Sequence, residues 1–102
     1  MADLIQEEWV EQLSKDENAV ILDVRTEDEF DNGYIPNAIN IDIYEGQGFI
    51  SKIKELDKSK TYFVYCRSGN RSGQACAIMN QLGFEKAYNL VGGIVEWEGE
   101  IE

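Results

Sequence analysis

An α/β chain built around a parallel sheet is predicted by three features of this sequence. Short β-branched runs alternate with segments of helical apolar spacing. One such run ends in a cysteine, followed by a loop of small residues and a helix, a site beyond the carboxyl end of a strand. The 102 residues suit one domain, 1–102, long enough to bury a core without cross-links.

Each element follows from its own residues. Ile5, Trp9, Val10 and Leu13 recur at helical spacing and predict a helix over residues 5–14. Residues 19–24, Ala-Val-Ile-Leu-Asp-Val, read as a buried strand. Thr26 and Glu29 form a capping box that opens a short helix, and Asn32-Gly33 ends it. Residues 38–41 read as a second strand, and Phe49, Ile50, Ile53 and Leu56 as another helix. Residues 61–66, Thr-Tyr-Phe-Val-Tyr-Cys, are rich in strand formers. Ala75, Ile78, Met79 and Leu82 mark a helix over 71–82, closed by Gly83. Residues 87–90 make the last strand, and Gly92-Gly93 lead into a final turn with Trp97. Residues 96–102 read as an acidic, fraying tail. The alternation favours a parallel sheet covered by helices on both faces.

Composition excludes several function classes. Twenty acidic residues against nine basic give a net charge of −11, which argues against nucleic acid and anionic membranes as partners. There is no histidine, so neither a Cys–His pair nor histidine metal ligation can be built from this chain. Two cysteines make no zinc site, and neither metal nor cofactor is expected. The N-terminal residues lack a basic, apolar leader and no apolar run reaches the ~20 residues of a membrane span, so a cytoplasmic location is expected. Nothing in the pattern argues for assembly beyond a monomer.

The segment Cys66-Arg67-Ser68-Gly69-Asn70-Arg71-Ser72 carries the chemistry. Small and turn-forming residues let successive N–H groups point inward as an anion nest, and the following helix adds the positive end of its dipole. Two of the three arginines, Arg67 and Arg71, lie within five residues of Cys66. A thiol so placed is acidic and nucleophilic without a histidine base. The bland alternatives are a strand-end cysteine that packs as a small hydrophobe, and arginines paired with surface carboxylates. Cys76, inside the helix between Ala75 and Ala77, reads as a packed, inert thiol.

With these residues in view, the sequence resembles the rhodanese-like single-domain sulfurtransferases over nearly the whole chain. The likeness rests on the Cys66–Ser72 loop, on Asp23-Val24-Arg25 with Glu29-Phe30 and residues 33–41, and on residues 89–97, Asn-Leu-Val-Gly-Gly-Ile-Val-Glu-Trp. Tyr34 replaces a frequent His, Asn37 a frequent Gly and Glu27 a frequent Pro. The resemblance implies a five-stranded parallel sheet with helices on both faces. It also implies transfer of sulfane sulfur from a small sulfur-containing anion such as thiosulfate, through a Cys66 persulfide, to cyanide, a thiol or a protein acceptor. Arg67, Ser68, Gly69, Asn70, Arg71 and Ser72 would hold the substrate and the persulfide.

Two other readings stand beside it. One is a non-catalytic rhodanese-like binding or sulfur-carrier module. The other is a cysteine phosphatase or arsenate reductase; four residues separate Cys66 from Arg71, against five in the phosphatase pattern, so this cradle is tighter. Asp23 and Arg25 are expected to support the site from behind, Asp23 by accepting loop amides and Arg25 by pairing with Glu29 or another acid of the next helix. Trp9 and Trp97 are expected in the core or at its edge.

Overall fold

The computed structural model describes residues 3–102. Its strands are β1 (Asp3–Leu4), β2 (Ala19–Asp23), β3 (Ile39–Asn40), β4 (Thr61–Tyr65) and β5 (Ala87–Leu90). Its α-helices are α1 (Gln6–Lys15), α2 (Glu27–Asp31), α3 (Gln47–Lys54) and α4 (Asn70–Gln81), with short 3-10 turns at Ile43–Glu45 and Ile94–Glu96. The five strands form one parallel sheet in the order β1-β5-β4-β2-β3.

The central strand β4 is buried along its length, and its alternation divides the core. Tyr62, Val64 and, just beyond the strand, Cys66 face Phe49 and Ile53 of α3 and Met79 of α4. Phe63 and Tyr65 face the opposite layer with Trp9 of α1, Leu90 and Trp97. Trp9 is fully buried and meets Phe63 and Trp97 edge-on at centroid distances of 5.7 and 5.6 Å. Fully burying a side chain of this size stabilises by roughly 1.5–3 kcal/mol or more, which makes these layers the main source of cohesion.

Most elements lie within a residue or two of expectation. The strand β1 is the exception, since no strand is expected among the first residues. Two residues suffice because β5 offers an open edge: Asp3 and Leu4 register with Asn89 and Leu90, and the Val91 amide donates to the Leu4 carbonyl at 2.9 Å. The tail also departs from the fraying expected of it. Glu102 and Tyr34 exchange backbone hydrogen bonds of 2.9 and 3.4 Å, and Trp97 Nε1 donates to the Glu100 carbonyl at 3.0 Å.

The three departures from the family pattern have local explanations. Asn37 has φ 73°, a left-handed conformation that asparagine tolerates and glycine adopts freely. Glu27 is the first residue of α2, where proline's fixed φ also fits and where a negative charge suits the helix dipole. Tyr34 stacks on Phe30 with centroids 4.3 Å apart.

Candidate active site

Cys66 leaves the central strand at its carboxyl end, and only Arg67, Ser68 and Gly69 separate it from α4. The helix begins at Asn70, one residue earlier than its apolar stripe suggests. Gly69 is its N-cap with φ 104°, and that left-handed turn aims the Gly69 N–H back at Cys66 Sγ, 3.1 Å away. From the first turn of α4 the Ser72 hydroxyl reaches the same sulfur at 3.3 Å. Burial pushes the Cys66 thiol up, but the Ser72 hydroxyl and the backbone amides of Ser72, Gly69 and Ser68 outweigh it, and the net direction is down. The sulfur is buried beneath the loop, with Cys66 only 1% exposed, rather than open to solvent.

The carboxyl-terminal Gly-Gly turn holds this loop from outside. The amides of Ile94 and Val95 donate to the carbonyls of Cys66 and Arg67, both at 3.0 Å. Gly93 packs so closely that a Cβ there would lie 2.4 Å from the Arg67 carbonyl oxygen and 2.7 Å from that of Cys66. The motif at residues 89–97 thus fixes the carbonyl of the nucleophile itself and that of the residue after it.

The two arginines have different fates. Arg67 is exposed on the loop and is paired with no carboxylate among the described residues. Arg71, expected to face an anion, has both terminal nitrogens on Glu29, with Nη1–Oε1 at 2.7 Å and Nη2–Oε2 at 2.9 Å. This is the carboxylate pairing held open as the bland alternative, and it is bidentate and half-buried. The guanidinium also lies 5.4 Å from the Tyr44 ring centroid. Glu29 serves two elements, since Oε1 also accepts the Thr26 amide of the capping box at 3.1 Å. The Arg71 bonds, helped by those from Thr26, hold the Glu29 carboxyl at about 2 against the burial that opposes them.

Arg25 pairs with Asp23 rather than with Glu29. Asp23 is fully buried and takes both Nε and Nη2 of Arg25, the latter at 2.6 Å, together with the Arg25 amide at 2.8 Å. The amide it accepts is thus that of Arg25, two residues on. Arg25 Nη2 also donates to the Gly33 carbonyl at 2.7 Å, tying the end of β2 to the turn after α2. A depression of about 370 Å³ lies beside the loop, with Arg25, Glu29, Arg67, Ile94, Val95 and Ile101 on its wall. Arg25 therefore borders this open recess as well as bracing β2. Ser68 and Asn70 are exposed on the rim of the loop, and Ser72 is fully buried beneath it.

Three residues of the sequence motifs have roles at the site that a sequence reading does not show. Glu29 is legible as a cap, as a motif residue and as a candidate partner of Arg25, but not as the partner of Arg71. The turn at Gly93 acts through its backbone, which no side chain announces. Asn89 is buried behind Ser72; the sequence marks it as a strand residue and as the start of the 89–97 motif but not as a neighbour of the sulfur, and its signal is being the one amide in the short strand Ala-Tyr-Asn-Leu.

A family model, the rhodanese-like domain, matches residues 6–100. The chain belongs to the rhodanese-like family. A putative sulfurtransferase of Bacillus subtilis, YtwF, is 41% identical over 93 residues, covering 88% of this chain and 84% of that protein. A sulfurtransferase of Allochromatium vinosum is 36% identical over 87 residues, covering 85% and 78%. Among solved structures, a rhodanese-related protein of Thermoplasma volcanium superposes with a TM-score of 0.84 at 31% identity, covering 100% of this chain and 98% of the other. The rhodanese-like match takes in the loop, the Asp23–Arg25 segment and the Gly92-Gly93 turn.

Proposed function

We propose that this rhodanese-like protein is a sulfurtransferase that carries sulfane sulfur as a persulfide on Cys66, with thiosulfate as a donor and a thiol or cyanide as acceptor. The observation that carries this reading is the convergence of the Gly69 amide and the Ser72 hydroxyl on Cys66 Sγ, at 3.1 and 3.3 Å, at the mouth of a parallel sheet. These donors favour the thiolate.

In the first half-reaction the thiolate attacks the outer sulfur of thiosulfate. A Cys66–sulfur bond forms, the S–S bond of thiosulfate breaks, and its electron pair leaves with sulfite. In the second, cyanide or an acceptor thiolate attacks the outer sulfur of the persulfide, which is anionic or protonated there. The Sγ–S bond breaks, and its pair returns to Cys66 Sγ, giving thiocyanate or the acceptor persulfide. This is thiol–disulfide-type exchange, and it needs neither metal nor cofactor. Arg67 is the cation available to the donor's oxygens, and Arg71 holds α4 against Glu29 at the edge of the site. That pairing weighs against a phosphatase, which needs its loop arginine on the phosphate. No helix among the described residues is long and apolar enough to cross a membrane. A reducing cytoplasm suits two free thiols.

Intact mass after incubation with thiosulfate tests the reading. One added sulfur is expected, removed by cyanide and absent from a Cys66→Ser variant. If reduced protein gains no sulfur from thiosulfate but gains it from a persulfide donor, the donor is wrong and sulfur carriage stands. No gain from either donor favours a binding module.

A further inference from the structure

A chain of polar groups runs from the sulfur to the edge of the sheet and joins three elements. Ser72 Oγ of α4 lies 3.3 Å from Cys66 Sγ and 2.5 Å from Asn89 Oδ1 of β5. Asn89 Nδ2 lies 2.9 Å from Asp3 Oδ1 of β1 and 3.2 Å from the Gly69 carbonyl. Asp3 and Asn89 are register partners in the sheet, which brings their side chains to the same face. The orientation of the Asn89 amide follows from its neighbours. A carboxylate and a carbonyl only accept, so the amide nitrogen faces them and the amide oxygen faces Ser72.

Ser72 therefore stands with one proton between two groups that can accept it. It is fully buried and Asn89 is only 5% exposed. When Cys66 is a neutral thiol every group is satisfied: S–H donates to Ser72 Oγ, and Ser72 O–H donates to Asn89 Oδ1. When the sulfur is an anion, the Ser72 proton satisfies either the sulfur or Asn89, and the stronger charge-assisted bond draws it to the sulfur.

We propose that Asn89, clamped by Asp3 and the Gly69 carbonyl, is a positioning residue that competes with Cys66 Sγ for the Ser72 hydroxyl and so tunes the charge on the sulfur. For its catalytic consequence this rests on the sulfur-transfer reading. In the persulfide the charge sits on the outer sulfur, Sγ is neutral, and the hydroxyl turns to Asn89. As the Sγ–S bond breaks in the second half-reaction, the electron pair arrives on Sγ and the hydroxyl turns back to receive it. Ser72 rotates and never ionises. The device stabilises charge on Sγ only while charge is there, which assists a nucleophile that must also leave.

The test is the midpoint pH of iodoacetamide alkylation of Cys66, followed by mass in four proteins: wild type, Ser72→Ala, Asn89→Ala and the double variant. Loss of the Ser72 hydroxyl raises the midpoint by about one unit, roughly a tenfold loss of thiolate below it. Asn89→Ala frees the hydroxyl for the sulfur and lowers the midpoint by about half a unit, an effect the double variant lacks. A merely structural Asn89 would loosen the loop, draw the Gly69 amide from the sulfur and raise the midpoint whether or not Ser72 is present. An unchanged or raised midpoint in Asn89→Ala, or an equal fall in the Ser72→Ala background, overturns the proposal. If Asn89→Ala does not fold, Asn89→Val, a strand former of similar volume, takes its place with the same expectation. The measurement uses no sulfur donor, so its outcome is separable from any failure of sulfur loading.

Discussion

Cys66 and Cys76 are both free, both 1% exposed and both part of the same apolar layer, yet their thiols move in opposite directions. Burial alone penalises the thiolate in each. Cys76 lies inside α4, where the nearby amides are spent on the helix, and burial, helped by the charge of Asp3, pushes its thiol up to about 12. Cys66 lies before the helix, where the first amides have no partner within it and one turns onto the sulfur. Reactivity is therefore decided by unspent donors more than by depth. Ten residues of chain separate a helix's open end from its closed middle.

The largest expected effect tests that contrast directly. At pH 8 the Cys76 thiol stays almost wholly protonated while that of Cys66 is drawn toward the thiolate, so iodoacetamide is expected to modify Cys66 faster by at least about tenfold. Peptide mass mapping reads the two sites, and similar rates would break the comparison. Next is Gly93→Ala, which drives a methyl against the carbonyls of Arg67 and Cys66 at a position with φ 61°. A loss of about 2 kcal/mol or more in urea unfolding is expected, with the Cys66 midpoint rising toward that of an ordinary buried thiol. A displaced loop that left the midpoint unchanged would show that the donors come from α4 alone.

The smallest effect sharpens the comparison. The folded Glu29 carboxyl lies at about 2 against an ordinary 4.5, so its ionised pairing stabilises the fold above pH 4.5 and is lost as pH falls toward 2. Glu29→Gln should cost about 1 kcal/mol at neutral pH, allowing for partial solvent screening, and the gap from wild type should close in acid. The Cys66 midpoint should hardly move, because Arg71 is not among the donors on the sulfur. A fall of a full unit would mean that Arg71, once released, turns to the thiolate.

Much of this architecture is legible in the sequence, because core strands such as residues 61–66 and the helix through Ala75, Ile78 and Met79 carry their own periodicity. The loop is legible too, since Cys66, Gly69 and Ser72 announce a strand end, a left-handed turn and a helix start. Partnerships across the chain are not. Asp3 and Leu4 have no pattern of their own and become a strand only when β5 is beside them. Arg71 finds an acid 42 residues away, and Asn89 finds Ser72 and Asp3, through topology rather than spacing. Buried pairs of this kind arise from the order β1-β5-β4-β2-β3, which brings sequence-distant strands side by side.

That strand order also decides which part of the molecule can breathe. β4 is flanked on both sides by longer strands, whereas β5 and β2 each have only a two-residue strand beyond them, β1 and β3. Amide exchange should be slowest across residues 62–65 and faster at residues 91–95, whose bonds lie over the Cys66–Arg67 backbone. A loosening of the β5 side would uncover the sulfur while its strand stayed anchored. On that pattern of exchange the nucleophile would sit on the most slowly opening strand and be reached from an edge of the sheet.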